Sequence, residues 1–129
     1  MRRGDFMFVG IDSVEISRID GLNNKDSFIS RVFSESEREE FLKRGFKSEH
    51  IAAAFAAKEA FSKVLGTGLS GFSLNEVSLL HESTGKPYLR LSGAAKKLAD
   101  EKGLSFDVSI THTSLVATAV VIGFKGGEK

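Results

Sequence analysis

Three charged residues of this chain could do chemistry together: Asp12, Glu59 and Lys63. Asp12 follows the apolar run 6–11, Phe-Met-Phe-Val-Gly-Ile, so a strand would hold its carboxylate on a rigid element. Glu59 and Lys63 stand four apart, which puts both on one side of a helix. Two carboxylates alone make an oxygen-only donor set. Such a set suits Mg²⁺ rather than zinc, with phosphate oxygens and water completing the coordination. Lys63 adds a point charge for an anion, and Gly66-Thr67-Gly68 follows directly, where backbone amides can approach a phosphate. The combination points to a metal and a phosphate. Each part also has a plain structural explanation. An acid after a strand can be a turn or cap residue, and a lysine in a last helical turn can simply be solvated. The Gly66 and Gly68 loop lies at a helix C-terminus, whose dipole repels anions, so Lys63 carries the anion argument.

The helix presenting Glu59 and Lys63 must be the central element. At about 100° per residue, Ile51, Phe55, Phe61, Val64 and Leu65 form a stripe padded by Ala54 and Ala57. This predicts a helix over 48–65 with Gly66 as a left-handed cap. Lys58 falls inside the stripe, where it needs a partner or must snorkel to water. Asp12 or Glu15 is the expected partner, in an ion pair that helps to place the metal ligands.

The remaining elements surround that helix. The run 6–11 reads as a strand buried on both faces. A short helix carrying Phe28, Ile29, Val32 and Phe33 follows the turn at Asn23. Ser34-Glu35-Ser36-Glu37 has the form of a capping box, predicting a helix from Glu35 to about Arg44, with Gly45 as its stop. Its charge run 35–40 is read as a solvated face. Strands are expected at 77–81 and 87–91 around the turn Ser83-Thr84-Gly85-Lys86. A helix is expected over 92–101, then strands over 105–111 and 116–124 with His112 in the turn between them. The class is α+β, one domain over 1–124 with a disordered tail at 125–129.

Bulk properties exclude several functions. At 129 residues with a net charge of +1, the chain lacks the basic excess of a nucleic-acid binder. It has no cysteine, hence no thiolate chemistry. The run 6–11 is too short for a signal peptide or a membrane span, so a cytoplasmic protein without a membrane partner is expected. There is no Gly-x-Ser-x-Gly elbow, P-loop or dinucleotide fingerprint. His50, His81 and His112 lack zinc-site spacing. On its own, His112 reads equally as a turn residue or as a ligand contact.

Four stretches in order, Gly10-Ile-Asp-Ser-Val-Glu-Ile-Ser-Arg-Ile19, Phe55-Ala-Ala-Lys-Glu-Ala-Phe-Ser-Lys63 with Leu65-Gly-Thr-Gly68, Thr84-Gly-Lys-Pro-Tyr88, and Val108-Ser-Ile-Thr-His-Thr113, resemble the small bacterial 4′-phosphopantetheinyl transferases of the holo-acyl-carrier-protein synthase family. The resemblance implies their fold, an antiparallel sheet with packed helices, and Mg²⁺-dependent transfer of 4′-phosphopantetheine from coenzyme A to a serine of apo-acyl carrier protein in fatty-acid biosynthesis. It implies that Asp12 and Glu59 bind Mg²⁺ and that Lys63 contacts the phosphates. Gly66, Gly68, Gly85, Lys86, Pro87, His112 and Thr113 would line the coenzyme A site across a subunit boundary of a homotrimer. Arg18, Lys25 and Arg31 would dock the acidic carrier. Either Glu59 or a metal-bound water would accept the serine proton. Three departures from the family pattern stand out. Ala54 occupies a position usually held by Arg, for which Lys43, Arg44 or Lys47 could substitute. Ser13 replaces an aliphatic residue, and the first helix is less basic.

Overall fold

A computed structural model describes residues 7–68 and 70–125. The chain runs β1 (Met7–Glu15), α1 (Ile16–Asp20), α2 (Lys25–Val32), α3 (Glu35–Lys43), α4 (Ser48–Leu65), β2 (Val77–His81), β3 (Pro87–Leu91), α5 (Gly93–Lys102), β4 (Leu104–His112) and β5 (Val116–Lys125). A single 3₁₀ turn, Leu74–Glu76, leads into β2. All strand pairs are antiparallel, in a sheet ordered β1-β5-β4 and a hairpin β2-β3. The α+β class and helix-on-sheet arrangement are those expected. β5 reaches Lys125, one residue into the stretch read as a tail. Phe6 and residues 126–129 lie outside the described residues.

The helix α4 is the hub because almost all its sides are apolar. Ile51, Ala52, Ala56, Ala57, Ala60 and Phe61 are fully buried, each large side chain contributing about 1.5–3 kcal/mol by leaving water. Small residues let other backbones come close. A Cβ added to Gly10 would lie 2.0 Å from the Ala60 carbonyl oxygen, so β1 rests directly on the helix backbone there. Gly123 of β5 leaves room instead for the Val64 side chain, whose Cγ1 would lie 2.6 Å from an added Cβ. The helix ends as expected, with Gly66 at φ +75°, a conformation that glycine adopts without steric cost.

The strand β1 departs from the expected burial. Gly10 and Val14 face α4 and are buried, whereas Met7, Val9 and Ile11 are 60, 62 and 56% exposed. The cause is topological. β1 lies at the sheet edge, and among the described residues nothing covers the sheet's outer side. Its partners there are Phe124, Ile122 and Val120 of β5, so the outer face carries a continuous apolar stripe.

The charge run of α3 also departs from expectation. The capping box forms, with Ser34 Oγ accepting from the Glu37 amide and Glu37 accepting from the Ser34 amide. Glu37 is nonetheless fully buried, and Glu40 accepts bonds from the His81 amide and contacts its imidazole. These two acids tie α3 to β2, so only part of the run is solvated.

Candidate active site

Alternation along β1 decides where Asp12 points. It shares the helix-facing side with Gly10 and Val14, opposite Ala119 of β5. The close seat of Gly10 on Ala60 then brings Asp12 alongside the Glu59–Lys63 turn of α4. Lys63 Nζ donates to the Ile11 carbonyl at 2.7 Å and to Asp12 Oδ1 at 3.4 Å. Its side chain is 52% exposed and that of Asp12 21%.

Glu59 completes the group. Burial raises its carboxyl above the usual range, and the negative charge of Asp12 raises it further, while Lys63 and Arg18 pull it down. The two acids are therefore close enough to repel, with cations on their flanks. Ser62 Oγ donates to the Glu59 carbonyl at 2.6 Å, a local bond back along the helix. No third acid, histidine or cysteine joins them among the described residues. Two carboxylates that share one adjacent lysine, without further protein ligands, fit a hard cation that takes its remaining oxygens from substrate and water.

Lys58, next along the helix, faces elsewhere. Its ammonium donates to Glu37 Oε1 at 2.6 Å and to the carbonyls of Leu74 and Val77, and it lies 5.0 Å from the Phe33 ring centre. The expected partner, Asp12 or Glu15, is thus corrected to Glu37. Lys58 projects from the opposite side of α4 to β1, and Glu37 is the acid that α3 buries there. Sequence reasoning missed Glu37 because the capping box already accounted for it. A buried lysine in search of an acid was the available signal.

The residues expected to contact coenzyme A fall into separate places. Gly66 and Gly68 follow α4, both with positive φ. Gly85 lies in the β2–β3 turn and helps to line a cleft of about 330 Å³ with Glu40, Lys43, Arg44 and His81. Lys86 reaches Asp107 at 3.4 Å, and Pro87 starts β3 opposite His81, as a residue without an amide donor should. His112 and Thr113 line a second cleft of about 480 Å³ with Ile16 and Glu49. Thr113 Oγ1 also accepts from the Leu115 and Val116 amides. Glu49 and Glu59 are ten residues apart on α4, or about 15 Å along the axis. Neither cleft is lined by Asp12, Glu59 or Lys63.

Among the expected docking residues, Arg18 stands in the middle of α1 within electrostatic reach of Glu59. Lys25 opens α2, and Arg31 in its last turn reaches Ser27 Oγ at 3.4 Å. Ala54 is 1% exposed and belongs to the core cluster. Lys43 and Arg44 line the Gly85 cleft.

Comparison with known proteins gives the family of the chain. Residues 8–119 match the 4′-phosphopantetheinyl transferase superfamily, ACPS. Holo-[acyl-carrier-protein] synthase of Thermoanaerobacter sp. (strain X514) is 44% identical over 125 residues, covering 95% of this chain and 90% of the relative. That of Treponema denticola is 43% identical over 116 residues, covering 88% and 94%. The crystal structure of the Neisseria meningitidis holo-[acyl-carrier-protein] synthase has a TM-score of 0.85 at 34% identity, covering 92% of this chain and 98% of that one. The Helicobacter pylori enzyme in complex with coenzyme A has a TM-score of 0.76 at 34% identity, covering 88% and 96%.

Proposed function

We propose, from the premise that this chain belongs to the 4′-phosphopantetheinyl transferase superfamily as a holo-[acyl-carrier-protein] synthase, that Asp12, Glu59 and Lys63 form its transfer site. The enzyme moves 4′-phosphopantetheine from coenzyme A to a serine of apo-acyl carrier protein, releasing adenosine 3′,5′-bisphosphate. The observation that carries the assignment is the contact of Lys63 with Asp12 where Gly10 seats β1 on the turn of α4 that carries Glu59.

Asp12 and Glu59 would hold Mg²⁺, which neutralises charge on the pyrophosphate and the departing bisphosphate. Lys63 adds a second positive charge there, its half-exposed ammonium free to turn from Asp12 to a phosphate oxygen. The serine oxygen forms a bond to phosphorus as the bond to the bisphosphate breaks, and the serine proton passes to Glu59. A carboxylate placed beside the transfer centre suits that task. The nucleophile belongs to the carrier, which accounts for the lack of a nucleophile motif here. Arg18, Lys25 and Arg31 steer the acidic carrier to this side.

The separation of Glu59 from Glu49 of the His112 cleft, about 15 Å along α4, and the absence of the carboxylate pair from the lining of the Gly85 cleft support shared sites. Gly85, Lys86, Pro87, His112 and Thr113 of one subunit would meet coenzyme A held by Asp12 and Glu59 of the next, with Gly66 and Gly68 beside the phosphates. The apolar stripe of Met7, Val9 and Ile11 supplies the contact face of a homotrimer acting in cytoplasmic fatty-acid biosynthesis. Ile11→Lys should convert the trimer to monomers in sedimentation and abolish transfer; a trimeric, active I11K protein contradicts that assembly.

The test of function is the mass increase of an apo-carrier protein incubated with coenzyme A, Mg²⁺ and enzyme. Wild type should label the carrier, while Asp12→Asn and Glu59→Gln should each lose most of the rate. Failure of wild type to label its own or a generic carrier, or full activity of both variants, overturns the assignment.

A further inference from the structure

We infer that the buried Glu37–Lys58 pair is a positioning device that fixes the rotation of α4, and with it the direction of Glu59 toward Asp12. The inference rests on the proposed roles of Asp12 and Glu59. It starts from three consecutive residues of one helical turn. Lys58 is pinned on one side to α3 and to the start of β2, through Glu37 Oε1, the Leu74 carbonyl and the Val77 carbonyl. Ala60 is pinned on the other side, its carbonyl against the Cβ-less face of Gly10 on β1. Glu59 lies between these two clamps and projects toward the strand that carries Asp12.

The pair has the chemistry of a socket rather than of a reacting group. Lys58 Nζ meets three acceptors, which matches the three N–H groups of an ammonium. Glu37 receives Lys58 and the Ser34 amide on Oε1 and the Leu79 amide on Oε2. It meets donors only and is therefore a carboxylate. Ser78 Oγ, bonded to Ser34 Oγ at 2.7 Å, joins the cap of α3 to β2 beside it. Both charged side chains are fully buried. They have no access to substrate, so any influence on transfer must pass through the placement of α4. An apolar filler of similar volume could support the fold equally well. It would not fix the helix rotation through hydrogen bonds of defined direction.

That difference separates positioning from support. In the Lys58→Met/Glu37→Leu double variant no charge is left buried, so a folded protein with one cooperative melting transition is expected. Its kcat should fall by about ten- to a hundred-fold, as small misplacements of a catalytic group do. Its affinity for Mn²⁺ alone, read by electron paramagnetic resonance without coenzyme A or carrier, should weaken by about tenfold. KM for the carrier should hold. A folded double variant with wild-type kcat and Mn²⁺ affinity overturns the positioning role. Should that variant fail to fold, Glu37→Gln keeps the volume of the socket and decides by the same measurements. A lower melting temperature with unchanged kcat and Mn²⁺ affinity makes the pair purely structural. Glu59→Gln is measured in parallel. If it stays fully active the transfer-site assignment itself fails, whereas an inactive E59Q beside a fully active double variant removes only the positioning role.

Discussion

Two lysines about a turn and a half apart on α4 belong to lysine–carboxylate groups that the protein treats in opposite ways. Lys58 and Glu37 are fully buried, and every donor and acceptor between them is used. Lys63 and Asp12 stand 3.4 Å apart at the surface, with the Glu59 carboxyl, unpaired among the described residues, alongside. Both groups look alike as residue types. The buried one has no capacity left for a ligand, and the open one has two carboxylates beside a single lysine. Incomplete electrostatic satisfaction, rather than the presence of charges, marks the place where chemistry can occur.

Removing carboxylates should expose the contrast most sharply. Asp12→Asn or Glu59→Gln is expected to lower kcat by about 10²–10³-fold, or roughly 3–4 kcal/mol of barrier. The melting temperature should stay level or rise, because a like-charge repulsion is relieved. Large destabilisation of either variant would mean that these acids hold the fold, as Glu37 does.

Truncating the two lysines should give the reverse pattern. Lys58→Met strands the Glu37 carboxylate in the interior and should cost about 3–5 kcal/mol in chemical denaturation. Lys63→Met breaks an exposed pair worth about 0–1 kcal/mol yet should remove most of the transfer rate. Equal stability losses would erase the distinction between the two regions.

The Gly10 seat joins them. Gly10→Ala places a Cβ against the Ala60 carbonyl, an overpacking expected to cost about 1–3 kcal/mol, with a fall in kcat larger than the stability loss alone explains. A tolerated alanine with full activity would show that β1 need not touch α4 so closely.

The smallest effect concerns His50, whose buried Nδ1 has no hydrogen-bond partner among the described residues. Burial lowers its basicity first, and the Arg44 charge adds to this, below the ordinary value of 6.5. The unfolded chain therefore binds more protons than the folded one just below that value, so stability falls as the pH drops through it. His50→Gln should flatten this part of the stability–pH curve.

Much of this was legible from the residues. The 3.6-residue pattern and Gly66 fixed α4 because an 18-residue helix repeats its apolar signal many times. Ser34 and Glu37 declared the start of α3 because a cap is a local interaction. The association of Asp12 with Glu59 came through family motifs rather than spacing, since the strand and helix that bring them together are long-range neighbours. The partner of Lys58 was illegible for the same reason. The apolar run of β1 misled because a strand facing a helix on one side and carrying an exposed apolar stripe on the other looks like one buried twice.

The most direct measurement of the central claim is Mn²⁺ binding by electron paramagnetic resonance in the presence of coenzyme A, for wild type, D12N and E59Q. The account predicts one ion per transfer site in wild type and affinity weakened by about tenfold or more in each variant. Wild-type affinity in both variants would contradict the assignment of Asp12 and Glu59 to a single cation.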